Sequence, residues 1–432
     1  MTSGATVGLP ADTTEALRSL LATGGLRSAF QPLVDLDSGE VLGYEALARG
    51  PAGSGMVEAA ALFAAAARAG RTAELEWCCR AAALQGALAA ELGHGLTLFV
   101  NVLPEVPCEP VPLQHLDTIE RATRDLRVVL EVTEQAVLAE PGQLLRTVDW
   151  ARERGWGIAL DDIGADPGSL AMMPFLEPDV IKLDLRLVQA RPDPEVGLLV
   201  SAVLAQVERS GASVVAEGIE TDAHREAALA MGATLGQGWL YGRPGDLPAG
   251  GPLPSQTVPL LRTSAPRPEV TPYTVVSSAR PVRRGNRALI EGIAGYLEEQ
   301  AVAWRDGPVV LSTFTNGAQA ANGRLDRYER LARQGSYVVA LGAGISPRLS
   351  RGVRSARLPA GHRLGDEWSI VIVGPHYAGA LVAVARDGDP GGPTAPTDAY
   401  DYAVTHDRAV VIAAGRALLR QLALDDAVLL SS

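Results

Sequence analysis

Cysteine is scarce in this chain. Only three cysteines occur among 432 residues, Cys78, Cys79 and Cys108, and their positions show no disulfide-framework spacing. The first two are neighbours in an alanine-rich, helix-like region, which favours positions in a helix core. A disulfide-stapled secreted scaffold is therefore excluded, and we predict a reducing, cytoplasmic location.

Long apolar runs are also missing. No uncharged stretch approaches the ~18 residues that can cross a bilayer, because Arg68 and Arg71 interrupt the alanine-rich segment that starts at Ala59. At the N-terminus, Asp12 and Glu15 break the apolar core that a signal peptide would need. We therefore expect a soluble protein with no membrane partner.

Positive charge is in deficit, since 38 Lys and Arg residues face 50 Asp and Glu residues, a formal net charge of −12. Without a basic excess, counterion release cannot drive binding to a DNA or RNA duplex. An anionic ligand would need local help, such as metal ions. The remaining composition, 47% apolar and 20% charged residues, suits a globular chain of about two domains at this length.

The chain does contain eight short apolar, β-branched runs in its first ~250 residues. They read "SAFQPLVDL", "EVLGYEALA", "LTLFVN", "RVVLEVTE", "WGIALDD", "DVIKLD", "SVVAEG" and "ATLGQGWL". Helix-like stretches separate most of the later runs, which predicts βα alternation around a closed (β/α)8 barrel. The first two runs are joined only by "DSG", which is too short for a crossover helix, so we predict a modified TIM barrel with an antiparallel first strand.

A stretch dense in proline and glycine follows the barrel, from Tyr241 to Pro272. Beyond it, 286–304 and 406–424 are helix-like, and "PVVLSTFTN", "SYVVALGAG", "WSIVIVGP" and "AGALVAVARD" are strand-like. The class is therefore α/β throughout. We predict three parts: a barrel at 1–247, a linker at 248–272 and a smaller α/β domain at 273–425.

Polar side chains stand at or near the ends of seven of the eight barrel runs: Glu45, Asn101, Glu131, the pair Asp161 and Asp162, Lys182, Glu217, and Gln237. Parallel strands in a barrel bring these ends to one face, where such barrels place active sites. Carboxylates facing each other repel unless cations lie between them. An oxygen-rich set of this kind favours Mg²⁺ or Mn²⁺.

Two adjacent aspartates suggest two ions. Successive strand residues point to opposite faces, so Asp161 and Asp162 reach one site only where the strand frays, and Gly164 permits that turn. Two ions ~3.5 to 4 Å apart activate water and hold a phosphoryl group for in-line displacement. The sequence therefore predicts phosphodiester hydrolysis.

Residues from about Phe30 to Pro244 resemble the EAL domain, a cyclic di-GMP phosphodiesterase family. The resemblance rests on "FQPLVDLDSGEVLGYEALAR", "FVN", "LEVTE", "LDDIG", "DVIKLD", "VVAEGIE" and "GQGWLYGRP", which occur in the family's order. It implies hydrolysis of cyclic di-GMP to linear pGpG by a two-metal mechanism. It also implies a homodimer.

The resemblance further implies a role for each matching residue. One metal ion is implied to bind Glu45, Asn101, Glu131 and Asp161. The second is implied to bind Asp161, Asp162 and Glu217. The residues implied to be catalytic are Asp162, Lys182, Glu217 and Gln237. Substrate contacts are implied for Gln31, Arg49 and Asp184, and Glu134 is implied to anchor the loop after Asp162.

The loop after Asp162 departs from the family pattern. It reads "IGADPGSL", where the family usually has a phenylalanine and a more Gly/Ser-rich segment, so that Ile163, Asp166 and Pro167 differ. The loop organises the metal pair and often contributes to dimerisation in the family. The departure therefore bears on rate and regulation, while every implied ligand is retained.

The region from about Tyr273 to Leu424 resembles the DICT domain, a presumed sensory module. The resemblance rests on "SSARPVRRGNRALIEGIAGYLEEQA", "VVLSTFTN", "RYERLARQGSYVVALG" and "DEWSIVIVGPHYAGALVA". It implies that this region senses a signal or protein partner, which the sequence does not identify. The histidines His362, His376 and His406 are scattered along it, and no separate catalytic site is predicted there.

Three functions remain open from the sequence. The first is an active phosphodiesterase governed by the C-terminal domain, the second a cyclic di-GMP receptor without useful turnover, and the third a signalling scaffold with an inert barrel. At single positions, Lys182 could instead form an ion pair with Asp184, and Arg49 could be a charge on the barrel rim.

Overall fold

The structure, a computed structural model, describes residues 12–163, 170–189, 193–248, 253–261, 270–304, 307–315, 324–342, 345, 352–359, 361–386 and 399–429. Within these ranges the chain forms two sheets. One closes into an eight-stranded barrel, and the other is an open sheet of seven strands.

The barrel has its strands in sequence order. They are β1 Arg27–Asp35, β2 Val41–Arg49, β3 Thr97–Asn101, β4 Arg127–Thr133, β5 Gly157–Ile163, β6 Val180–Leu183, β7 Ser213–Ala216 and β8 Leu235–Gln237. Strand β1 runs antiparallel to both β2 and β8, and the other neighbouring pairs are parallel. The predicted modified (β/α)8 barrel with a reversed first strand is confirmed.

A tight hairpin reverses the first strand. The Asp35 amide donates to the Glu40 carbonyl at 2.9 Å, and the Ser38 amide donates to Asp35 Oδ1 at 2.7 Å. Gly39 has φ 75°, a left-handed conformation that glycine adopts without a Cβ penalty. The connection is therefore too short for the chain to cross the barrel before β2.

Helices cover the outside of the barrel, as the amphipathic stretches predict. They are α1 Asp12–Thr23, α2 Ala59–Ala69, α3 Thr72–Ala89, α4 Leu116–Asp125, α5 Glu134–Ala139, α6 Pro141–Glu153, α7 Met173–Leu176, α8 Leu185–Gln189, α9 Pro194–Ser210 and α10 Asp222–Ala230. A short 3-10 turn, Leu113–His115, precedes α4. Over the described ranges, no helix is long and apolar enough to cross a membrane.

Part of the predicted linker packs against the barrel. In segment 253–261, Val258 is fully buried together with the apolar residues that fill the barrel interior. Its carbonyl accepts a hydrogen bond from Arg127 at 2.5 Å, and the Leu261 amide donates to Asp179 Oδ1 at 2.5 Å. We call residues 253–261 the floor segment, because they close the end of the barrel at which β4 and β6 start.

The second sheet is mixed, with strand order β12-β11-β10-β13-β14-β15-β9. Its strands are β9 Arg283–Asn286, β10 Val309–Phe314, β11 Tyr337–Gly342, β12 Val353–Arg357, β13 Glu367–Val373, β14 Ala378–Ala385 and β15 Ala399–Thr405. The helices of this part are α11 Pro272–Ala279, α12 Arg287–Ala303, α13 Arg324–Arg333 and α14 Arg408–Leu429, with a 3-10 turn at Arg363–Asp366. An additional C-terminal α/β region is therefore present, as predicted.

The four strand-like runs of this region form β10, β11, β13 and β14, and both predicted helices are present as α12 and α14. The sequence analysis does not predict strands β9, β12 and β15. Strands β9 and β12 lie at the two edges of the sheet, where "RRGN" and "VRSAR" leave most residues exposed or half-buried. Edge strands need little apolar sequence, because one side meets solvent.

Helix α14 joins the second sheet to the barrel. Arg420 pairs with Asp149 of α6 at 2.8 Å, and Arg416 pairs with Glu177, just after α7, at 2.7 Å. Apolar residues from both parts belong to one continuous buried cluster. The domain limits at 247 and 272 stay a prediction.

Candidate active site

The interior of the barrel changes from apolar to polar along its strands. Residues two apart on a strand share a face. On each of β3 to β8, a buried apolar interior residue precedes a predicted site residue by two positions: Phe99 and Asn101, Val129 and Glu131, Ala159 and Asp161, Val180 and Lys182, Val215 and Glu217, Leu235 and Gln237. Because β1 runs the other way, its interior residues Leu33 and Gln31 occur in reverse order. Strand pairing thus brings these site residues to one end of the barrel.

Strand β2 contributes Glu45 by a different spacing. Its interior apolar residue is Leu42, three positions earlier, and the β1–β2 register shifts next to Leu42. A bulge of this kind places one extra residue on a strand and re-aims the side chains that follow. Glu45 consequently faces the interior alongside the residues from the other strands.

Lys182 lies in the middle of four carboxylates. Its Nζ atom is 2.7 Å from Glu217 Oε1, 2.8 Å from Glu131 Oε1, 3.3 Å from Asp161 Oδ1 and 3.4 Å from Glu45 Oε2. The lysine side chain is fully buried. A further sequence signal marks this position, because Lys182 is the only lysine in the chain and every other one of the 38 basic residues is arginine. A compact ammonium fits among four carboxylates where a planar guanidinium would not.

Two amide side chains orient Glu45. Asn101 Nδ2 donates to Glu45 Oε1 at 2.8 Å, and Gln237 Nε2 donates to Glu45 Oε2 at 2.7 Å. The same Gln237 nitrogen lies 3.1 Å from Gln31 Oε1, which connects β8 to β1. Burial by itself would raise the pKa of Glu45, but Lys182 and these hydrogen bonds hold that pKa below its usual value.

The Asp161–Asp162 pair lies where β5 becomes irregular. The pairing of β5 with β6 shifts register between Leu160 and Ile163, and Asp162 has φ 59°, which is unusual for a residue other than glycine. This turn lets both carboxylates reach one place, while Gly164, to which the sequence argument assigned the turn, lies outside the described residues. One oxygen from each aspartate and one from Glu217 lie within 4.8 Å of one another. Burial, then Asp161 and Asp184, raise the pKa of Asp162.

The site carries more negative charge than Lys182 balances. Burial, followed by the nearby Glu45 carboxylate, raises the pKa of Glu131 well above its usual value. Burial likewise raises the pKa of Glu217 to about 8, with Asp161 and Glu45 adding to the effect and Lys182 opposing it. Burial would lower the pKa of Lys182, but the four carboxylates together raise it well above its usual value. Additional positive charge is therefore favoured here.

Two buried oxygen atoms at this place, Glu131 Oε2 and Gln237 Oε1, have no hydrogen-bond partner among the described residues. A third, Asp161 Oδ1, has only the Lys182 ammonium nearby, at 3.3 Å. A buried polar atom left in this way is costly unless a ligand or water satisfies it. Carboxylate and amide oxygens that converge without donors suit a hard divalent cation. The residues present therefore fit divalent cations.

Two predicted residues, Arg49 and Asp184, lie at the edge of this cluster. Arg49, at the end of β2, is 3.3 Å from Glu58 Oε2 and donates to the Ala48 carbonyl. Asp184 accepts a hydrogen bond from Arg186 Nε at 2.8 Å, and among the described residues its ion pair is with this arginine rather than with Lys182. Sequence reasoning missed Arg186, which follows Asp184 by two residues.

Glu134 is fully buried at the first position of α5. The loop that it is predicted to anchor, including Asp166 and Pro167, lies outside the described residues. Of the departures from the family pattern, Ile163 is described and is buried as the last residue of β5. The anchoring role stays a prediction.

The barrel part of the chain matches a known family. The model of the EAL domain family matches residues 14–244, which is more than half of the chain. This chain therefore belongs to the EAL domain family, and the first resemblance noted in the sequence is confirmed.

Individual relatives match this chain over the same part. The probable cyclic di-GMP phosphodiesterase PdeG of Escherichia coli is 30% identical over 239 residues, which cover 53% of this chain and 46% of PdeG. The cyclic di-GMP phosphodiesterase RocR of Pseudomonas aeruginosa is 29% identical over 230 residues, which cover 52% of this chain and 58% of RocR. The Klebsiella pneumoniae BlrP1 structure, a manganese and cyclic di-GMP complex, is 29% identical with a TM-score of 0.44, covering 51% of this chain and 56% of that one. This chain spans 29% to 58% of the length of the first curated relatives it matches.

Proposed function

We propose that this protein is a cyclic di-GMP phosphodiesterase that hydrolyses its substrate to linear pGpG with two divalent cations, Mg²⁺ or Mn²⁺. The observation that supports it most strongly is the convergence of five carboxylates, from Glu45, Glu131, Asp161, Asp162 and Glu217, at one end of the barrel. Phosphodiesterase relatives at about 30% identity support the same chemistry.

Each side chain has a role in this proposal. One ion would be held by Glu45, Asn101, Glu131 and Asp161. The other would be held by Asp161, Asp162 and Glu217. Two such ions supply an activated water and neutralise the charge that develops on the phosphodiester.

Lys182 and Gln237 complete the reaction site. The Lys182 ammonium keeps the carboxylates of β2, β4, β5 and β7 together and is placed to donate to a water or to a phosphate oxygen. Gln237 fixes Glu45 through a 2.7 Å hydrogen bond, while its Oε1 atom has no partner in the described structure and is available as an acceptor. In this proposal, Lys182 and Gln237 orient the carboxylates and the substrate, and neither side chain changes its own charge.

Substrate contacts lie around the rim. The ion-pair partner of Arg49 is Glu58, whose side chain is 69% exposed. A substrate phosphate could replace Glu58 as the partner of this arginine. Trp239 follows β8 and is 57% exposed, with the Arg243 guanidinium 4.4 Å from its ring centre. An exposed tryptophan of this kind offers a face on which a guanine base stacks. Gln31 accepts a hydrogen bond from Gln237, and Asp184 accepts one from Arg186.

The proposal extends to the whole chain. The C-terminal region is proposed to be a DICT-type sensory module in a cytoplasmic homodimer, and its signal or protein partner is not identified. Its direct contact with the barrel through α14 supports control of the barrel by this region.

The test is incubation of the purified full chain with cyclic di-GMP and Mn²⁺, with products separated by chromatography. We expect pGpG from the wild type, and a loss of at least ~100-fold for Asp161→Asn, which removes an implied ligand of both ions. The control is Asp117→Asn on α4, whose side chain is 83% exposed, and its rate should equal that of the wild type.

The other functions give different results in this experiment. Binding of cyclic di-GMP without pGpG would identify a receptor and contradict the enzymatic proposal. A melting temperature that does not respond to the nucleotide would indicate a scaffold.

A further inference from the structure

A large cavity lies between the barrel and the C-terminal region, away from the carboxylate cluster. Its volume is 930 Å³, within the range of cavities that bind small molecules. Helices α6 and α9 of the barrel form one side, and α11 and α14 form the other. We call it the junction cavity.

The lining of the junction cavity is rich in arginine. Five arginines and two acidic residues line it. Three of the five arginines have carboxylate partners: Arg152 with Asp179 at 2.6 Å, Arg416 with Glu177 at 2.7 Å, and Arg420 with Asp149 at 2.8 Å. In each of these three pairs the two charges balance each other.

The remaining two arginines, Arg209 and Arg408, have no carboxylate partner among the described residues. Arg209 donates to the Pro375 carbonyl at 3.1 Å. Arg408 donates through one nitrogen to the Gly374 and Tyr377 carbonyls, at 2.9 and 3.1 Å. Its other two nitrogens, Nε and Nη2, are buried and lack hydrogen-bond partners within the structure. Buried guanidinium nitrogens without acceptors cost free energy unless a ligand or a water accepts from them.

The two arginines also act on each other. Burial, and then the charge of Arg209, lowers the pKa of Arg408 to about 10, and burial lowers the pKa of Arg209. Two like charges thus border one cavity, with Arg408 half-buried and Arg209 exposed. Arrangements that cost stability in this way are typical of binding sites, where a ligand offsets the cost.

The rest of the lining sets the character of a ligand. Apolar side chains from both sides face the same space, among them Leu261, Val275 and Ile412. A ligand that fills the cavity therefore needs an apolar portion as well as a negative group. Guanidinium groups hold phosphate or carboxylate oxygens by paired, charge-assisted hydrogen bonds.

We propose that the junction cavity binds a small organic anion, whose phosphate or carboxylate group is held by Arg209 and Arg408. Arg209 belongs to α9 of the barrel and Arg408 to α14 of the C-terminal region. A bound anion therefore connects the two parts, and it stabilises their association by neutralising one arginine from each.

The proposal is tested by isothermal titration calorimetry on the full chain, first passed over a chelating resin so that no cation at the barrel mouth can hold an anion. The probes are pyrophosphate and citrate, each compared with sodium chloride at matched ionic strength. Pyrophosphate that binds more tightly than citrate assigns a phosphate ligand, and the reverse assigns a carboxylate; both outcomes support the site. No binding of either probe above the chloride baseline overturns the proposal.

Variants locate the site. Arg209→Gln and Arg408→Gln should each weaken probe binding at least ~10-fold, because one of two charge-assisted partners is lost. The control is Arg121→Gln on α4, whose side chain is 50% exposed, and its affinity should equal that of the wild type. Circular dichroism checks that each variant folds, since Arg408 also bonds to two carbonyls. Should Arg408→Gln fail to fold, Arg209→Gln is the decisive variant. An unchanged affinity in Arg209→Gln overturns the proposal.

Hydrogen exchange supplies an independent measurement. Pyrophosphate or citrate should slow amide exchange in α9, α11 and the first half of α14, which border the cavity. Protection confined to the ends of β7 and β8 would place the probe at the carboxylate cluster and contradict the assignment. This readout needs no turnover, so it is independent of the phosphodiesterase proposal.

Discussion

Lys182 is the residue on which the charge balance of the barrel mouth depends. It is the only cation within ion-pair distance of the four buried carboxylates in the described structure. A buried charge that loses its partner costs far more than an exposed one. The lysine therefore stabilises the metal-free fold as well as the reaction site.

Replacing this lysine should separate its two roles. Lys182→Met should lower the free energy of unfolding of the metal-free protein by roughly 3 to 5 kcal/mol, because four carboxylates lose their counter-charge. Saturating Mn²⁺ should recover most of that loss while turnover stays abolished. Urea unfolding with and without Mn²⁺ measures both. A variant as stable as the wild type without metal would contradict the assigned charge balance.

The raised carboxylate pKa values predict how metal affinity depends on pH. Glu217 titrates at about 8 in the folded, metal-free protein, against 4.5 as its ordinary value, so below pH 8 a proton competes with the metal. We expect Mn²⁺ affinity to rise from pH 6 to 8, by up to about tenfold per unit for each proton displaced. Calorimetry in two buffers of different ionisation enthalpy should detect proton release. An affinity that does not change with pH would contradict these pKa shifts.

The same shift fixes the sign for stability. A folded-state pKa above the unfolded one means that the folded protein binds the proton more tightly. The contribution of Glu217 to stability is therefore present below pH 4.5 and is lost as pH rises towards 8. The melting temperature of the metal-free protein should therefore contain a decrease between pH 4.5 and 8 that comes from Glu217. In Glu217→Gln this decrease should be smaller.

Helix α14 is the element through which the C-terminal region contacts the barrel. Gly415 lies in this helix and faces Phe175 of α7, which is fully buried. Any Cβ atom at Gly415 would overlap the Phe175 ring, so glycine is required by close packing at this point. Helix α7 in turn precedes β6, which carries Lys182.

A larger side chain at this contact should loosen the two helices. Gly415→Val should lower the free energy of unfolding by about 1 to 3 kcal/mol, because the core around Phe175 cannot accept the added volume. The matched control is Gly292→Ala in α12, where an added Cβ meets open space, and this change should stabilise by about 0.5 to 1 kcal/mol through helix propensity. Thermal unfolding of both variants measures the difference. Equal effects would contradict the packing argument.

On the scale of the whole molecule, the floor segment 253–261 shows that the two parts are connected by more than a tether. Val258 fills the end of the barrel interior, and Ser255 binds Glu40 of the first hairpin through its amide at 3.1 Å. The barrel fold thus uses residues that follow its last strand. A fragment that ends at residue 247 lacks them.

A charge in the floor segment should therefore affect the barrel. Val258→Asp should destabilise the protein by roughly 3 to 5 kcal/mol, since it places an unpaired carboxylate in an apolar interior. Leu253→Asp is the control within the same segment, because Leu253 is 69% exposed, and its effect should stay within about 0.5 kcal/mol. Urea unfolding compares the two. Similar stabilities for both variants would show that the segment does not close the barrel.

The sequence alone determined the eight strands of the barrel, the reversed first strand and the residues of the carboxylate cluster. These features follow from local rules: apolar runs of strand length, a connection too short for a crossover, and polar residues at strand ends. Parallel strands in a barrel bring their ends together, so the convergence of Glu131, Lys182 and Glu217 needed no further information.

The tertiary structure alone decided which groups meet across the chain. The contacts of four carboxylates with Lys182 and the burial of Val258 depend on the packing of distant segments. The two arginines of the junction cavity, from α9 and α14, are almost 200 positions apart in the sequence. Their proximity has no local signal, because it arises from the docking of one folded layer on another.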